Sequence, residues 1–418
     1  MNQSTSSSTL AELLAKIDAL EVADGAAPPM PKDCYTSEAF FEFEREQVFA
    51  HSWICVGRGE QIPIKGDFLA VDVAGEPLLI VRGDGGAITA MSAVCQHRGQ
   101  VIATQSGHVD STFQCPLHFW TYDLKGALTS APLMGDRDHV ECLRRSTHLQ
   151  GVRIEIWHGF IFVNLDPRAV PLAPSLAKVE PFWDGYRDAD LVGVPPVMSQ
   201  SPLPWNWKIH VENFTDAYHP GFVHRGTHDI APSVHAEGGV QFTPMSAGDN
   251  AIIRTVPLLK KDGGMMADGW GEHAMFPAIT SLSEAQRRRL TFVLMPPSLT
   301  LVFAPGAVAY TILSANGACS THASSDRVTG GGWLLPRTTI DSPDFQERAI
   351  TVRKGAARIW AQDVPVNVSM QLGKRSRFHP DNTYGPLETT LRQFNAWLLQ
   401  AYQAAIARQA RQLGRDAR

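Results

Sequence analysis

Two short segments, Cys95-Gln96-His97 and Cys115-Pro116-Leu117-His118, restrict this chain more than anything else in it. Each offers one thiolate and one imidazole, and seventeen residues separate them. Two tips with mixed ligands suit a [2Fe–2S] centre in which two Cys hold one iron and two His hold the other. Neutral imidazoles in place of thiolates remove negative charge and raise the potential, roughly into the −150 to +300 mV range. The competing reading is a Cys2His2 zinc site. Zinc-binding sequences usually open with two Cys spaced by two to four residues and close with two His. Here each segment mixes the two ligand types and the first gap is a single residue, so the pattern favours iron and sulfur.

The rest of the chain sets the class of molecule. Its 418 residues imply two to three domains. A formal net charge of −5 leaves no basic excess for nucleic acid, and no polybasic run points to a membrane surface. Six Cys lie at 34, 55, 95, 115, 142 and 319; two belong to the cluster motif, and the other four lack framework spacing. They are expected to be free buried thiols in a reducing compartment. No charged segment followed by an apolar core opens the chain, so no signal peptide is expected. The apolar stretch Leu290 to Leu313 is broken by Pro296, Pro297 and Pro305 and reads as strands, not as a membrane span. The expected location is the cytoplasm.

Thr9-x-x-Glu12 is a capping box before Leu10, Leu13, Leu14 and Ile17, which predicts a short amphipathic helix. A Gly/Ala/Pro linker spans Gly25 to Pro31. Trp53 to Leu165 carries short strand signals: Phe68 to Val73, Leu78 to Val81, Ile88 after the Asp84-Gly85 turn, Val152 to Ile156 and Phe160 to Val163 around His158-Gly159. These predict a small β-barrel or sandwich with the Cys/His loops at its tips. Asp166-Pro167 through Pro174 reads as an interdomain linker. Beyond it the sequence predicts helix over Ile209 to His224, strands over 239–316, and helix over 344–373 interrupted at Asp363-Val364-Pro365. A final helix carries Leu387, Leu391, Phe394, Trp397, Leu398 and Tyr402, with an Arg-rich end as a solvated tail. The expected fold class is α+β: an all-β N-terminal domain followed by a catalytic domain with an antiparallel sheet covered by helices. The expected boundaries are 1–37 for an arm and linker, 38–168 for the first domain and 169–418 for the second.

A second site is written in Glu212-Asn213-Phe214-Thr215-Asp216-Ala217-Tyr218-His219 and His224. Asp216 and His219 are three apart and would share a helix face. Pro220-Gly221 should end that helix and let His224 swing back toward His219. Two His and one carboxylate on one face of an Fe(II) leave positions open for O2 and substrate. A His-x4-His pair alone is a weak signal; such pairs mostly serve as packed or surface residues.

The cluster motif, with Trp53, Val56-Gly57, Gly66-Asp67 and Trp120-x-Tyr122-x-x-x-Gly126 around it, resembles the Rieske domain of the Rieske non-haem iron oxygenases, alpha (oxygenase) subunit. Asn206-Trp207-Lys208 through His219 is similar to the mononuclear-iron motif of the same family, ring-hydroxylating dioxygenases included. The resemblance covers about residues 40–400. One departure is Phe119, where the family commonly has Gly.

The resemblance implies a Rieske [2Fe–2S] cluster on Cys95, His97, Cys115 and His118. It implies a mononuclear Fe(II) on His219, His224 and a downstream carboxylate, Asp363, with Asp344 and Asp341 as runners-up. Asp216 would not bind iron but would join His219 to His118 of a neighbouring subunit, in a homotrimer or a multiple of it. Electrons would come from a separate reductase, with or without a ferredoxin, since no Gly-x-Gly-x-x-Gly follows a strand here. The implied reaction is insertion of oxygen from O2 into an organic, aromatic substrate. The Asp at position 216 is similar to ring-hydroxylating members. The pattern around Gln371-x-Gly373 and Gly385-Pro386-Leu387 resembles the demethylase and amine branch, which keeps oxidative N- or O-demethylation, or hydroxylation of a small amine or aliphatic substrate, as an alternative. A Rieske electron-transfer protein is the alternative that is not an oxygenase; it would need only about a hundred residues. The substrate pocket is expected between the iron helix and the strands of 240–315, with Phe242, Phe276, Phe292, Leu294 and Phe303 as candidates for its wall. Arg254, in an apolar strand, could hold a substrate carboxylate, although a buried ion pair or a surface position is the plainer expectation.

Overall fold

A computed structural model describes residues 9–194, 203–227, 239–259, 262, 276–317, 325–380 and 383–416. The chain forms two compact units, one of residues 45–172 and one that joins residues up to Glu44 to those from Ala173 onward. The sequence places an arm and linker at 1–37 and the first domain at 38–168; by its contacts the N-terminal segment groups with the C-terminal unit. Helices α1 (Leu10–Asp18) and α2 (Glu38–Gln47) open the chain. The Thr9/Glu12 capping box forms, and Leu13 and Ile17 are fully buried on the apolar stripe of α1. A helix this short is marginal alone, so burial of that stripe is what holds it.

In the unit of residues 45–172, strands β1 (Ile54–Arg58), β2 (Asp67–Val73), β3 (Glu76–Arg82), β4 (Ile88–Ser92) and β5 (Gly107–His108) precede β6 (Thr112–Gln114), β7 (Thr121–Asp123) and β8 (Leu128–Ser130). Helix α3 (Arg137–Ser146) and strands β9 (Gly151–Trp157) and β10 (Phe160–Asn164) follow. One sheet runs β1-β10-β9-β4-β3-β2-β5, and a smaller one runs β6-β7-β8. His158 and Gly159 both take positive φ, which fits the twist of a two-residue hairpin turn between β9 and β10. The core between the sheets contains Leu79, Val81, Phe113, Trp120 and Tyr122, with Cys95 and Cys115 at its edge. Cys34 and Cys55 are buried free thiols as expected, but Cys142 is exposed, because α3 turns a polar face outward with no residue buried. Cys319 lies outside the described residues.

The other unit is built on an antiparallel sheet of β11 (Leu191–Val194), β12 (Gln241–Phe242), β13 (Ile252–Pro257), β14 (Arg289–Met295), β15 (Leu299–Ala304), β16 (Ala307–Gly317) and β17 (Ser325–Pro336), in the order β11-β17-β16-β15-β14-β13-β12. Helices α4 (Trp207–Thr215), α5 (Pro220–Val223), α6 (Arg337–Ile340), α7 (Phe345–Lys374) and α8 (Thr389–Asp416) complete it, and α1 packs against α8.

Two helix expectations are corrected. The predicted helix over 209–224 breaks after Thr215, and Asp216 takes an extended conformation (φ −66°, ψ 128°). Pro220 then starts α5 instead of ending a helix, because a proline at the first helical position has no N–H to lose. The helix over 344–373 is not interrupted: α7 runs 30 residues through Pro365. Its buried positions Gly355, Ile359, Asp363, Asn367 and Gln371 recur every fourth residue, and packing along that stripe offsets the hydrogen bond lost at the proline.

Candidate metal centres

The two Cys/His loops have one backbone design. Cys95 N–H donates to the Gln100 carbonyl and Gly99 N–H to the Cys95 carbonyl, at 2.9 and 3.0 Å. Cys115 N–H donates to the Trp120 carbonyl and Phe119 N–H to the Cys115 carbonyl, at 2.8 and 3.0 Å. Gly99 (φ 76°) and Phe119 (φ 58°) hold the same left-handed position. The departure at Phe119 therefore leaves the loop shape intact, at a conformational cost of about 1–2 kcal/mol for a residue with a Cβ. Its ring stands 56% exposed at the tip.

The thiols of Cys95 and Cys115 are buried, while His97 is half-buried and His118 exposed. The two imidazole rings meet edge to face at 4.7 Å, and Trp120 stacks on His97 at 4.8 Å and 7°. Thiols inside and imidazoles at the rim fit the two irons of a Rieske cluster.

Tyr122, fully buried, supports the cluster site from below. Its hydroxyl lies 3.3 Å from Cys95 Sγ and accepts the Gln96 N–H at 3.1 Å, so its proton is directed to the sulfur. A hydrogen bond to a cluster sulfur stabilises the more negative, reduced state. Tyr122→Phe is expected to lower the reduction potential by on the order of 60 mV, the one-electron equivalent of a bond worth about 1.4 kcal/mol. Spectroelectrochemistry on the purified protein measures this shift, and an unchanged potential would exclude the role.

The second centre lies where α4 ends. Buried on nearly every side, α4 holds polar groups that are paired inside. Lys208 Nζ meets Glu44 at 2.8 and 3.0 Å, Tyr402 also donates to Glu44, and Glu212 accepts from Tyr35. Gln371 accepts the Asn206 N–H at 2.7 Å and donates to the Tyr35 carbonyl. Thr390 Oγ1 donates to the Thr215 carbonyl at 2.7 Å and so closes the helix end. The turn that follows is thus carried on a fixed element.

Asp216 caps that turn, accepting from the Tyr218 and His219 N–H groups. It also accepts from His219 Nδ1 at 2.9 Å. His219 Nε2 then points toward Asp363 Oδ1 at 3.7 Å, and His224 Nε2 toward the same oxygen at 3.1 Å. His219, His224 and Asp363 are the group of three whose donor atoms converge within 4.8 Å among the described residues. Asp341 and Asp344, the runners-up, are exposed near the start of α7, and Asp344 pairs with Arg348. Two imidazoles and one carboxylate, nitrogen and oxygen donors with an open side, fit an iron(II) site.

The second imidazole has its own orienter. His224 Nδ1 donates to Gln362 Oε1 at 3.0 Å, and Gln362 Nε2 donates to Thr227 Oγ1 at 2.9 Å. Asn213 Nδ2 donates to Asp363 Oδ1 at 3.2 Å. These contacts fix both tautomers with Nε2 free for metal. Burial alone would raise the Asp216 carboxyl, but the bonds from His219 and the backbone outweigh it, so its pKa lies below the usual range. The sequence reading missed Gln362 as an orienter, although it stands beside Asp363, and missed Tyr122 as a thiol donor, although it lies within the quoted motif. Of the expected pocket residues, Phe303 lies on the other face of the sheet under Trp183 and Tyr186, at 4.9 and 5.3 Å. Phe276 is taken up in a cluster with Trp333 and Phe345. Phe292 packs on Phe214 of α4 at 5.8 Å.

The Rieske [2Fe–2S] domain family matches residues 52–145, and the ring hydroxylating alpha subunit (catalytic domain) family matches residues 184–404. The second match spans more than half of the chain, and the chain belongs to the ring-hydroxylating alpha subunits of the Rieske non-haem iron oxygenase family. It is 34% identical over 205 residues to the carnitine monooxygenase oxygenase subunit of Acinetobacter pittii, covering 48% of this chain and 53% of that one. It is 33% identical over 212 residues to the biphenyl 2,3-dioxygenase subunit alpha of Rhodococcus jostii, covering 50% and 45%. The chain thus spans about half the length of the curated relatives it matches. In fold it is similar to a quaternary ammonium Rieske monooxygenase structure concerned with carnitine oxidation and inter-subunit electron transfer, with a TM-score of 0.69, 23% identity and coverage of 94% and 96%. It is also similar to naphthalene 1,2-dioxygenase from Rhodococcus sp. bound to indole, with a TM-score of 0.70, 19% identity and coverage of 95% and 98%. Members with these two domains carry a Rieske cluster and a mononuclear iron.

Proposed function

We propose that this chain is the terminal oxygenase component of a multi-component system, taking electrons from a separate reductase, with or without a ferredoxin. Cys95, His97, Cys115 and His118 would hold the cluster, and His219, His224 and Asp363 the Fe(II). Once bound, the two groups supply one-electron transfer and O2 activation against an organic substrate. The observation that carries this reading is the convergence of His219, His224 and Asp363 in a chain that also contains the paired Cys/His loops.

The residues around the metals have separable tasks. Asp216 and Gln362 hold the imidazoles in the tautomer that leaves Nε2 unprotonated. Asn213 restrains the Asp363 carboxylate. Asp216 is also read as the link from its own His219 to His118 of a neighbouring copy in a homotrimer or a multiple of it. Exposed apolar side chains at the loop tips, Leu117 and Phe119, and beside His219, Tyr218 and Phe222, support such a head-to-tail contact. No helix among the described residues is long and apolar enough to cross a membrane, and the proposed location is the cytoplasm.

The leading substrate reading is aromatic ring hydroxylation. The likeness to the Acinetobacter carnitine monooxygenase subunit favours a second, oxidation of a small amine. The two give different products. With a generic reductase, O2 consumption and product mass analysis, ring dihydroxylation adds two oxygens and two hydrogens, whereas demethylation removes CH2. A red-brown protein with a rhombic paramagnetic signal on reduction is expected. A colourless protein with one zinc per chain, or no O2 uptake with any of a set of aromatic and small-amine substrates, would exclude the oxygenase reading.

A further inference from the structure

Arg254 is a buried cation with no carboxylate in contact among the described residues. It is 3% exposed, in the middle of β13. Phe242 and Phe292 are its cross-strand partners, so the three side chains form a row on one sheet face. Its guanidinium carbon lies 3.9 Å from the centre of the Phe292 ring, and Nη2 donates to the Phe214 carbonyl at 3.2 Å. Nε and Nη1 have no acceptor among the described residues. Two other cations in this chain, equally buried, are treated differently. Lys208 sits on Glu44, and Arg58, 4% exposed, takes two bonds from its guanidinium to Glu60. Leaving buried guanidinium N–H groups unpaired is unfavourable if nothing ever meets them.

The place of this side chain gives it a use. Phe214, which takes its one hydrogen bond, follows Asn213, the donor to Asp363, and precedes Asp216 by two residues. The unpaired donors therefore sit beside the segment that carries the metal centre, on the sheet face that packs against α4. Nε–H and the two Nη1–H groups suit the two oxygens of a carboxylate. The single π contact with Phe292 and the nearby charge of Asp216 stabilise the cation but satisfy none of these donors.

We propose that Arg254 binds a carboxylate of the substrate, so that the substrate class is a small organic acid, anionic or zwitterionic, and not a neutral hydrocarbon. This rests on the oxygenase reading and narrows it. The same chemistry would accept an aromatic acid or a betaine, because a zwitterion presents its carboxylate to the guanidinium and keeps its ammonium elsewhere.

The test uses the holoenzyme with both metals loaded. Binding of benzoate, phenylacetate, glycine betaine and carnitine, of the uncharged benzamide and phenylacetamide, and of choline, which lacks the carboxylate, is measured by calorimetry and by the change each causes in the nitrosyl signal of the mononuclear Fe(II). At least one carboxylate should bind at least tenfold tighter than its neutral counterpart or, for a betaine, than choline. Which acid does so separates the aromatic from the betaine source. Arg254→Gln should weaken that acid by about ten- to a hundredfold, the range of a charge-assisted hydrogen bond, with iron content and cluster absorption unchanged. Arg254→Lys keeps the charge and should retain part of the preference, which covers the case in which the Gln variant fails to fold. Equal binding of acids and amides by the wild type, binding of no acid in the panel, or an Arg254→Gln variant with undiminished acid binding would overturn the proposal. Absence of O2 uptake with normal acid binding would count against the oxygenase reading alone.

Discussion

His219→Ala and His224→Ala are each expected to abolish turnover and lower bound iron from about three to about two per chain, while the Rieske absorption stays unchanged. The two centres use separate ligands, so the loss is confined to one. Each substitution also leaves Asp363 as a buried carboxylate with one fewer partner, since Asp363 Oδ1 lies 3.1 Å from His224 Nε2 and 3.7 Å from His219 Nε2. Two remaining donors do not hold an Fe(II) against water, because a facial site needs all three. Asp363→Ala should behave the same way. Iron analysis and the low-temperature spectrum of the reduced protein measure both effects. If Asp363→Ala keeps full iron and full activity, the third ligand is misassigned.

The second large effect is expected at Asp216. Asp216→Asn should leave both metals bound and the cluster reducible, yet lower product formation by about 100-fold, at the upper end of what residues that orient metal ligands cost when replaced. The Asp216 oxygens accept from His219 Nδ1 and from two backbone N–H groups. An Asn can make some of these bonds, but it carries no charge and cannot accept from two imidazoles. The proposed cross-subunit path adds a sharper expectation. Chains with Asp216→Asn mixed with His118→Ala chains should regain part of the activity, because one interface of a mixed assembly pairs an intact cluster with an intact bridge. Normal activity from a monomer, or no rescue in verified mixed assemblies, would rule out that path.

Local chemistry was legible in the linear chain. Cys95, His97, Cys115 and His118 are close neighbours in pairs, and a cluster loop permits few spacings. The positive φ shared by Gly99 and Phe119 was not legible, since Phe gives no hint of a left-handed conformation. His219 and His224 could be paired from their motif, but the turn between them could not be drawn from Pro220-Gly221 alone. Proline both ends and begins helices, and only the capping of Tyr218 and His219 by Asp216 decides which.

What the sequence determined by itself was the kind of chemistry: thiolate and imidazole donors at a fixed spacing, two His behind an Asp, and alternating strands before and after a proline-rich linker. The resemblance pointed to Asp363 as the distant carboxylate, and tertiary structure supplies the physical reason. Asp363 faces the two imidazoles, and Asp341 and Asp344 do not, because it falls on the every-fourth-residue stripe that α7 buries. Gln362, beside Asp363 but off that stripe, reaches His224 Nδ1 from the half-buried flank of the helix. Arg254 stood out in the sequence only as a charge in an apolar strand; the sheet placed it between Phe242 and Phe292 with donors unpaired among the described residues. Spacing along the chain governs ligands held by one loop. Pairing across more than a hundred residues is set by packing, which brings together side chains whose positions in the sequence carry no record of it.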